Sequence, residues 1–211
     1  MRITACLLSC LMCLAQGVLL DGIAVVVDQS IIKDSDIDRD IRVTEFLDNA
    51  PLHIDPSERK KAAARLVDQT FLRKEVRAGR YSQAPEQEAR TQLDALIRSR
   101  FHTQTAFQDA LKRYRLGEET LLSQLRWQLT VLAFVKARFK PAVVVPDSEV
   151  DQYYHAHLAA LRAENPHGSE DGLRAQSRDI LAEDAVNRLL FSWLDDQRKS
   201  AKVNFHEDGL A

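Results

Sequence analysis

Residues 23–32 place two β-branched runs, Ile23-Ala24-Val25-Val26-Val27 and Ile31-Ile32, around a short polar turn, Asp28-Gln29-Ser30. Side chains of this kind favour strands, so the segment reads as a hairpin. A lone hairpin is marginal in water and must lie on a third strand or a helix. The chain offers one distant candidate. In Ala201-Lys202-Val203-Asn204-Phe205-His206, Val203 and Phe205 alternate with polar neighbours, the period of a strand. We therefore expect the two ends of the body to meet in one sheet. Seven Gly and six Pro among 211 residues leave little turn chemistry for further strands. The expected class is mainly α: a helical bundle with a small β-sheet formed by the N-terminal hairpin and the C-terminal strand.

The intervening sequence has helical periodicity. Ser35, with Asp38 three residues on, suggests the cap of a first helix carrying Ile37 and Ile41 to about Asn49. Pro51 and Pro56 mark a loop. Ser57 is placed to cap a second helix to about Arg77, with Ala63, Leu66, Val67, Thr70 and Phe71 as its stripe and Gly79 as its C-cap. Pro85 suits the first turn of a third helix with Leu93, Leu96, Ile97 and Phe101. Thr103 opens a short fourth helix carrying Phe107, Leu111 and Tyr114. After Gly117 comes a long fifth helix whose apolar residues, from Leu121 to Phe139, occupy more than one face. That pattern is expected of a helix surrounded by others. Pro141 and Pro146 flank an extended link, Asp147 or Ser148 caps a sixth helix to about Ala163, and a seventh runs from about Ser169 to Ser200.

Residues 1–20 read as an export leader: Arg2, then an apolar stretch from Ile3 to Leu14, with small residues Cys13 and Ala15 suiting cleavage after Ala15 and residue 20 as the outer limit. Gln16, Gly17 and Asp21 interrupt the run before it reaches the ~20 residues of a membrane span. Leu7-Leu8-Ser9-Cys10 faintly resembles a lipoprotein box, but it lies very near the N-terminus and apolar residues continue past it, so lipid anchoring is not expected. The three cysteines, Cys6, Cys10 and Cys13, all fall in the leader. A body without cysteine has no disulfide framework, thiol nucleophile or thiolate metal site. The formal charge is 29 − 31 = −2, which leaves no electrostatic footprint for nucleic acid.

Several chemistries lack their motifs. No Walker loop, GxGxxG, GxSxG or HExxH is present. His155 and His157 lie two apart, roughly 200° around a helix, and do not face one metal. Asp34, Asp36, Asp38 and Asp40 alternate, but they lack the central Gly and distal Glu of a calcium loop and suit a helix N-terminus. Arg98, Arg100, Lys112, Arg113 and Arg115 are interleaved with acids and read as a solvated face. No catalytic residue, cofactor or metal is expected.

The ordered set "VVVDQSIIKDSDI", "ARLVDQTFLRKEV", "AFQDALKRYRLGEETLLSQLRWQL" and "RFKPAVVVPDSEVDQYY", followed by a helix and a strand, resembles the chaperone module of SurA-type periplasmic proteins, relatives of the parvulin peptidyl-prolyl isomerases. The family opening usually has Asn where this chain has Asp28. The likeness covers about residues 21–163 and 175–206. In relatives with parvulin domains, those domains lie between the Tyr153-Tyr154 helix and the last helix. Here only Arg162 to Leu173 fill that interval, too few for a domain of ~100 residues. The resemblance thus implies a chaperone unit over 21–206, with residues 170–206 packing back on the N-terminal part and no isomerase domain. Its implied role is ATP-independent holding of unfolded or nascent exported polypeptides, including outer-membrane precursors, in the periplasm or outside the cell. Residual isomerase-related activity, or a secreted assembly subunit with one fixed partner, are the alternatives.

Holding a polypeptide requires an apolar groove with adaptable walls. Leu96, Phe101, Phe107, Leu111, Tyr114, Leu122 and Trp127 gather in the third to fifth helices and are the candidate peptide-binding residues. The alternative is that they fill the core. The two methionines lie at the start and within the leader, so no Met-lined surface is available.

Overall fold

A computed structural model of the chain describes residues 21–206 together with 209 and 210. The leader assigned to residues 1–15 or 1–20, with its three cysteines, lies outside the described residues. The hairpin is β1, Ile23–Val27, and β2, Ser30–Lys33. The distant strand is β3, Val203–Phe205. The antiparallel order is β2-β1-β3, so β1 is central and hydrogen-bonded on both sides. Val25 faces Ile32 and Phe205, Val26 faces Ile31 and Asn204, and Val27 faces Ser30 and Val203. The two chain ends meet in one sheet, as the β-branched pattern at each end requires.

The hairpin turn locks this junction. Asp28 takes a left-handed φ of 52°, a conformation that Asp and Asn tolerate better than most side chains. Its backbone N–H donates to the Lys202 carbonyl at 2.9 Å, and its carboxylate accepts the Lys202 N–H at 3.0 Å. That second bond, with Lys74 nearby, holds the Asp28 carboxyl below the usual aspartate range.

Seven helices fill the interval: α1 Asp34–Leu47, α2 Pro56–Ala78, α3 Glu86–Leu96, α4 Gln104–Tyr114, α5 Glu118–Phe139, α6 Asp147–Glu164 and α7 Glu170–Ser200. Between α3 and α4 the chain makes a π-helical turn, Ile97–Phe101. Thr103 caps α4 and Ser169 caps α7, as their positions predict. Four starts differ. Helix α1 begins two residues earlier than a Ser35 cap implies, after Lys33, and Ser35 gives both its N–H and its hydroxyl to the Asp21 carboxylate at 3.0 and 2.6 Å. Asp55, not Ser57, caps α2 by accepting the Glu58 N–H at 2.9 Å, and this leaves Pro56 at the first helical position, where its missing N–H costs nothing. Pro85 and Pro146 sit at the N-caps of α3 and α6, so neither Asp147 nor Ser148 is a cap. Gly79 is the C-cap of α2, as expected, with its N–H on the Glu75 carbonyl at 2.8 Å, and the left-handed residue is its neighbour Arg80, φ 52°. Gly79 is needed for a different reason: a Cβ there would lie 2.4 Å from the Tyr81 ring.

Two interiors result. In the first, Val25, Val27 and Ile32 of the sheet pack on Ile37, Ile41, Val67, Phe71, Phe134 and Leu194. The second gathers Val43 and Phe46 of α1 with Ala89, Leu93, Phe107, Leu111, Leu121 and Leu122. Helix α5 serves both, giving Leu121, Leu122 and Leu125 to one and Phe134 and Phe139 to the other, which explains its apolar residues on several faces. Helices α6 and α7 pair around a small cluster of Tyr154, Leu161 and Leu173. Farther along, α7 packs on α2 and α5. The five residues 165–169 make the α6–α7 connection, so that interval holds a turn and no further domain. No helix among the described residues is long and apolar enough to cross a membrane.

The Asp28 geometry yields a test with a defined sign. A carboxyl held below its unfolded value adds stability above the unfolded pKa, ~3.9, and that stability is lost as the pH falls through the lower folded value. Asp28→Ala is expected to lower the melting temperature at neutral pH, with an effect that shrinks as the solution is acidified. Asp28→Asn tolerates the same φ and retains an acceptor oxygen, so it should lose much less. Thermal unfolding monitored by circular dichroism between pH 2 and 7 measures both.

Candidate functional site

The seven sequence-selected side chains do not form one open wall. Six of them, Leu96, Phe101, Phe107, Leu111, Tyr114 and Leu122, belong to the second interior, and Trp127 packs on the first. Phe107, Leu111 and Leu122 are fully buried, at 0, 3 and 4% exposure. Leu96, Phe101, Tyr114 and Trp127 are half-buried. The hub is Phe46, which the sequence reading left out. Its ring stacks on Phe101 at 5.6 Å and meets Phe107 and Tyr114 edge-on at 6.2 and 5.4 Å. Offset and edge-on contacts are the favoured aromatic geometries. The Tyr114 hydroxyl donates to the Ala50 carbonyl at 2.6 Å. Arg100, read as part of a solvated face, instead turns inward and donates to the Phe46 and Leu47 carbonyls at 2.8 and 2.7 Å, which closes the end of α1. These contacts support the fold from inside. A guest reaches Phe107, Leu111 or Leu122 only if the cluster opens.

A different concavity is open as it stands. A groove of about 590 Å³ runs between β2, α1, α2 and α5. Ile31 and Ile32, Val43 and Leu66 give it apolar patches, and Gln69, Thr70, Thr120, Ser123 and Gln124 interleave hydrogen-bonding groups. Ile31 stands on the rim, 55% exposed, on an edge strand of the sheet. Such an edge offers backbone groups to an added strand. The reading of the hairpin as a purely structural element concealed this, because Ile31 points to the outer face while its neighbour Ile32 points into the core.

The charges around the groove are mostly spoken for. The alternating aspartates are each paired with an arginine. Arg59 bridges Asp34 and Asp38 and donates to the Gly209 carbonyl at 2.6 Å, Arg39 meets Asp36, and Arg65 meets Asp40 at 2.7 Å. Burial pushes the Asp40 carboxyl above the ordinary aspartate value even though Arg65 and Gln69 donate to it. Arg73, at the α2 end of the groove, lies over the Trp127 ring at 4.1 Å. His155 and His157 are exposed, and His157 stacks on Tyr153 at 4.0 Å. Among the described residues no group of three or more His, Cys, Asp or Glu is placed to hold a metal ion.

Compared with protein-family models and with curated proteins, the chain matches none.

Interior and rim residues should respond differently to truncation. Phe107→Ala removes a fully buried ring from the second interior and is expected to destabilise the protein by about 3–5 kcal/mol. Ile31→Ser on the rim should change stability by no more than about 0.5 kcal/mol. Urea unfolding curves separate the two.

Proposed function

We propose that this chain is an ATP-independent holding chaperone that binds unfolded or nascent exported polypeptides, outer-membrane precursors among them, in the periplasm or outside the cell, with no enzymatic step of its own. The observation that carries this reading is the open groove beside the edge strand β2. An unfolded chain presents apolar side chains and unpaired backbone amides together. The groove answers with both: Ile31, Val43 and Leu66 for the former, and the Gln, Thr and Ser side chains of α2 and α5 for the latter. A volume of about 590 Å³ accommodates a few side chains. It falls within the usual range for binding sites, roughly 300–1,000 Å³. Contacts of this kind are individually weak, which suits reversible capture of varied sequences rather than tight selection of one.

The half-buried Leu96, Phe101, Tyr114 and Trp127 remain peptide contacts in this reading, and Phe107, Leu111 and Leu122 support them from beneath. The likeness to SurA-type modules, carried by the ordered sequence segments, favours the same role. The arrangement of hairpin, helices and returning strand in one sheet is compatible with it.

The deciding experiment is light scattering from an aggregating, chemically unfolded client. Suppression at a few-fold molar excess without nucleotide is expected, and Ile31→Ser should weaken it while leaving the melting temperature in place. No suppression at any excess overturns the reading. Cross-linking in cells then separates a holding protein, with a broad set of partners, from an assembly subunit with one dominant partner. A rate enhancement in a proline-isomerisation assay would contradict the absence of an enzymatic step.

A further inference from the structure

A smaller cleft of about 130 Å³ adjoins the groove, between α2, the linker that follows it and α5. Arg73 and Ser123 line both spaces, so the two are neighbours across those side chains. The walls of the cleft carry three guanidinium groups, those of Arg73, Arg77 and Arg126, and no carboxylate. Among the described residues none of the three enters an ion pair, on a surface where most other arginines of α2 and α7 do. Like charges gathered without a counter-ion repel one another, and the described residues supply none here.

Two of the guanidiniums are also held in place. Arg73 lies over the Trp127 ring at 4.1 Å, and a guanidinium stacked on a ring keeps its in-plane N–H groups for other partners. Arg126 donates Nε–H to the Ala84 carbonyl at 2.8 Å and keeps its terminal N–H groups. The buried Thr130 hydroxyl accepts the Ala84 N–H at 3.0 Å and donates to the Arg126 carbonyl at 2.8 Å, so the linker and α5 form one rigid floor. Partial burial of its head group, with the positive charge of Arg77 beside it, holds the Arg73 guanidinium below the usual arginine range. An arriving anion would relieve that cost.

We propose that the Arg73–Arg77–Arg126 cleft is a carboxylate-binding subsite, which takes an acidic side chain or the C-terminal carboxylate of the polypeptide lying in the adjoining groove. The space equals about four waters at ~30 Å³ each, room for a carboxylate and its first methylene groups. Planar guanidiniums suit a carboxylate because two parallel N–H groups meet its two oxygens. The inference rests on the holding role only in naming the ligand as part of a polypeptide.

The test titrates the full chain, at constant ionic strength, with three blocked amino-acid probes: N-acetyl-glutamate α-amide, N-acetyl-alanine and N-acetyl-glutamine amide. Nuclear magnetic resonance follows the arginine Nε–H and tryptophan indole N–H signals. Saturable shifts of Arg73, Arg77, Arg126 and Trp127 with the glutamate probe assign a side-chain carboxylate, and with N-acetyl-alanine a terminal one. Arg77→Gln, an exposed change, should abolish them without altering the melting temperature. No shift with either acid, an equal shift with the glutamine probe, or a response to inorganic phosphate alone overturns the proposal. In the groove itself, an apolar peptide carrying one Glu should bind about tenfold more tightly than its Gln counterpart, and Arg77→Gln should erase most of that difference. A chain that answers the carboxylate probes yet fails to suppress aggregation keeps the subsite and loses the holding role.

Discussion

The pairing of β3 with β1 is the constraint on which the rest depends. β1 contributes Val25 and Val27 to the first interior and takes hydrogen bonds on both edges, so it cannot be satisfied by the local hairpin alone. The second partner comes from the far end of the body. Ladder bonds between Val25–Val27 and Val203–Phe205, the paired Asp28–Lys202 bonds and the His206 N–H to the Ala24 carbonyl at 2.9 Å all converge there. The entropy cost of closing a loop grows only slowly with its length, and the closed sheet keeps Val25 and Val27 away from water. Once that junction forms, the end of α7 is fixed against α2 and α5.

Electrostatics then tightens what the sheet has positioned. Arg59, largely buried, reaches from α2 to Asp34 and Asp38 of α1 and to the carbonyl of Gly209, and so links three parts of the chain in one head group. Arg65 does the same for Asp40 deeper along the α1–α2 contact. Surface pairs are worth little singly, but a network around a buried guanidinium is geometrically specific. The arginines of the small cleft differ in being gathered: Arg73, Arg77 and Arg126 line one space, and among the described residues none of them is ion-paired.

Much of this was legible in the residues. The β-branched runs, the alternation at Val203 and Phe205 and the caps at Thr103 and Ser169 sufficed for the fold class and most helix limits. The misplaced boundaries have two causes. Asp55 and Ser57 can supply the same capping chemistry, and only the path of the chain chooses between them. Helices α1, α3 and α6 start after Lys33, Pro85 and Pro146, whose side chains accept no bond from the first turn and so leave no capping signal. Gly79 ends α2 as its position predicts, although the left-handed conformation falls on the neighbouring Arg80. The candidate site was less readable. Periodicity marks apolar residues without saying which side meets solvent, so it does not separate the buried Phe107, Leu111 and Leu122 from the half-buried Leu96, Phe101, Tyr114 and Trp127. The Arg73 and Arg77 spacing of one helical turn was visible. Arg126, some fifty positions away in sequence, joins them only through the packing of α2 on α5.

Helix α7 has a mechanical consequence. Its 31 residues make a rod of about 46 Å at ~1.5 Å per residue. One end is clamped by α6 through Leu173 and the stacked Arg174–Tyr154 pair, and the other abuts the central body through Trp193 and Leu194. A stiff rod gripped at both ends acts as a lever. A tilt of about five degrees at the α6 clamp would sweep the opposite tip through about 4 Å. That tip leads directly into β3, so a load applied to the remote α6–α7 hairpin would be felt as tension on the sheet itself.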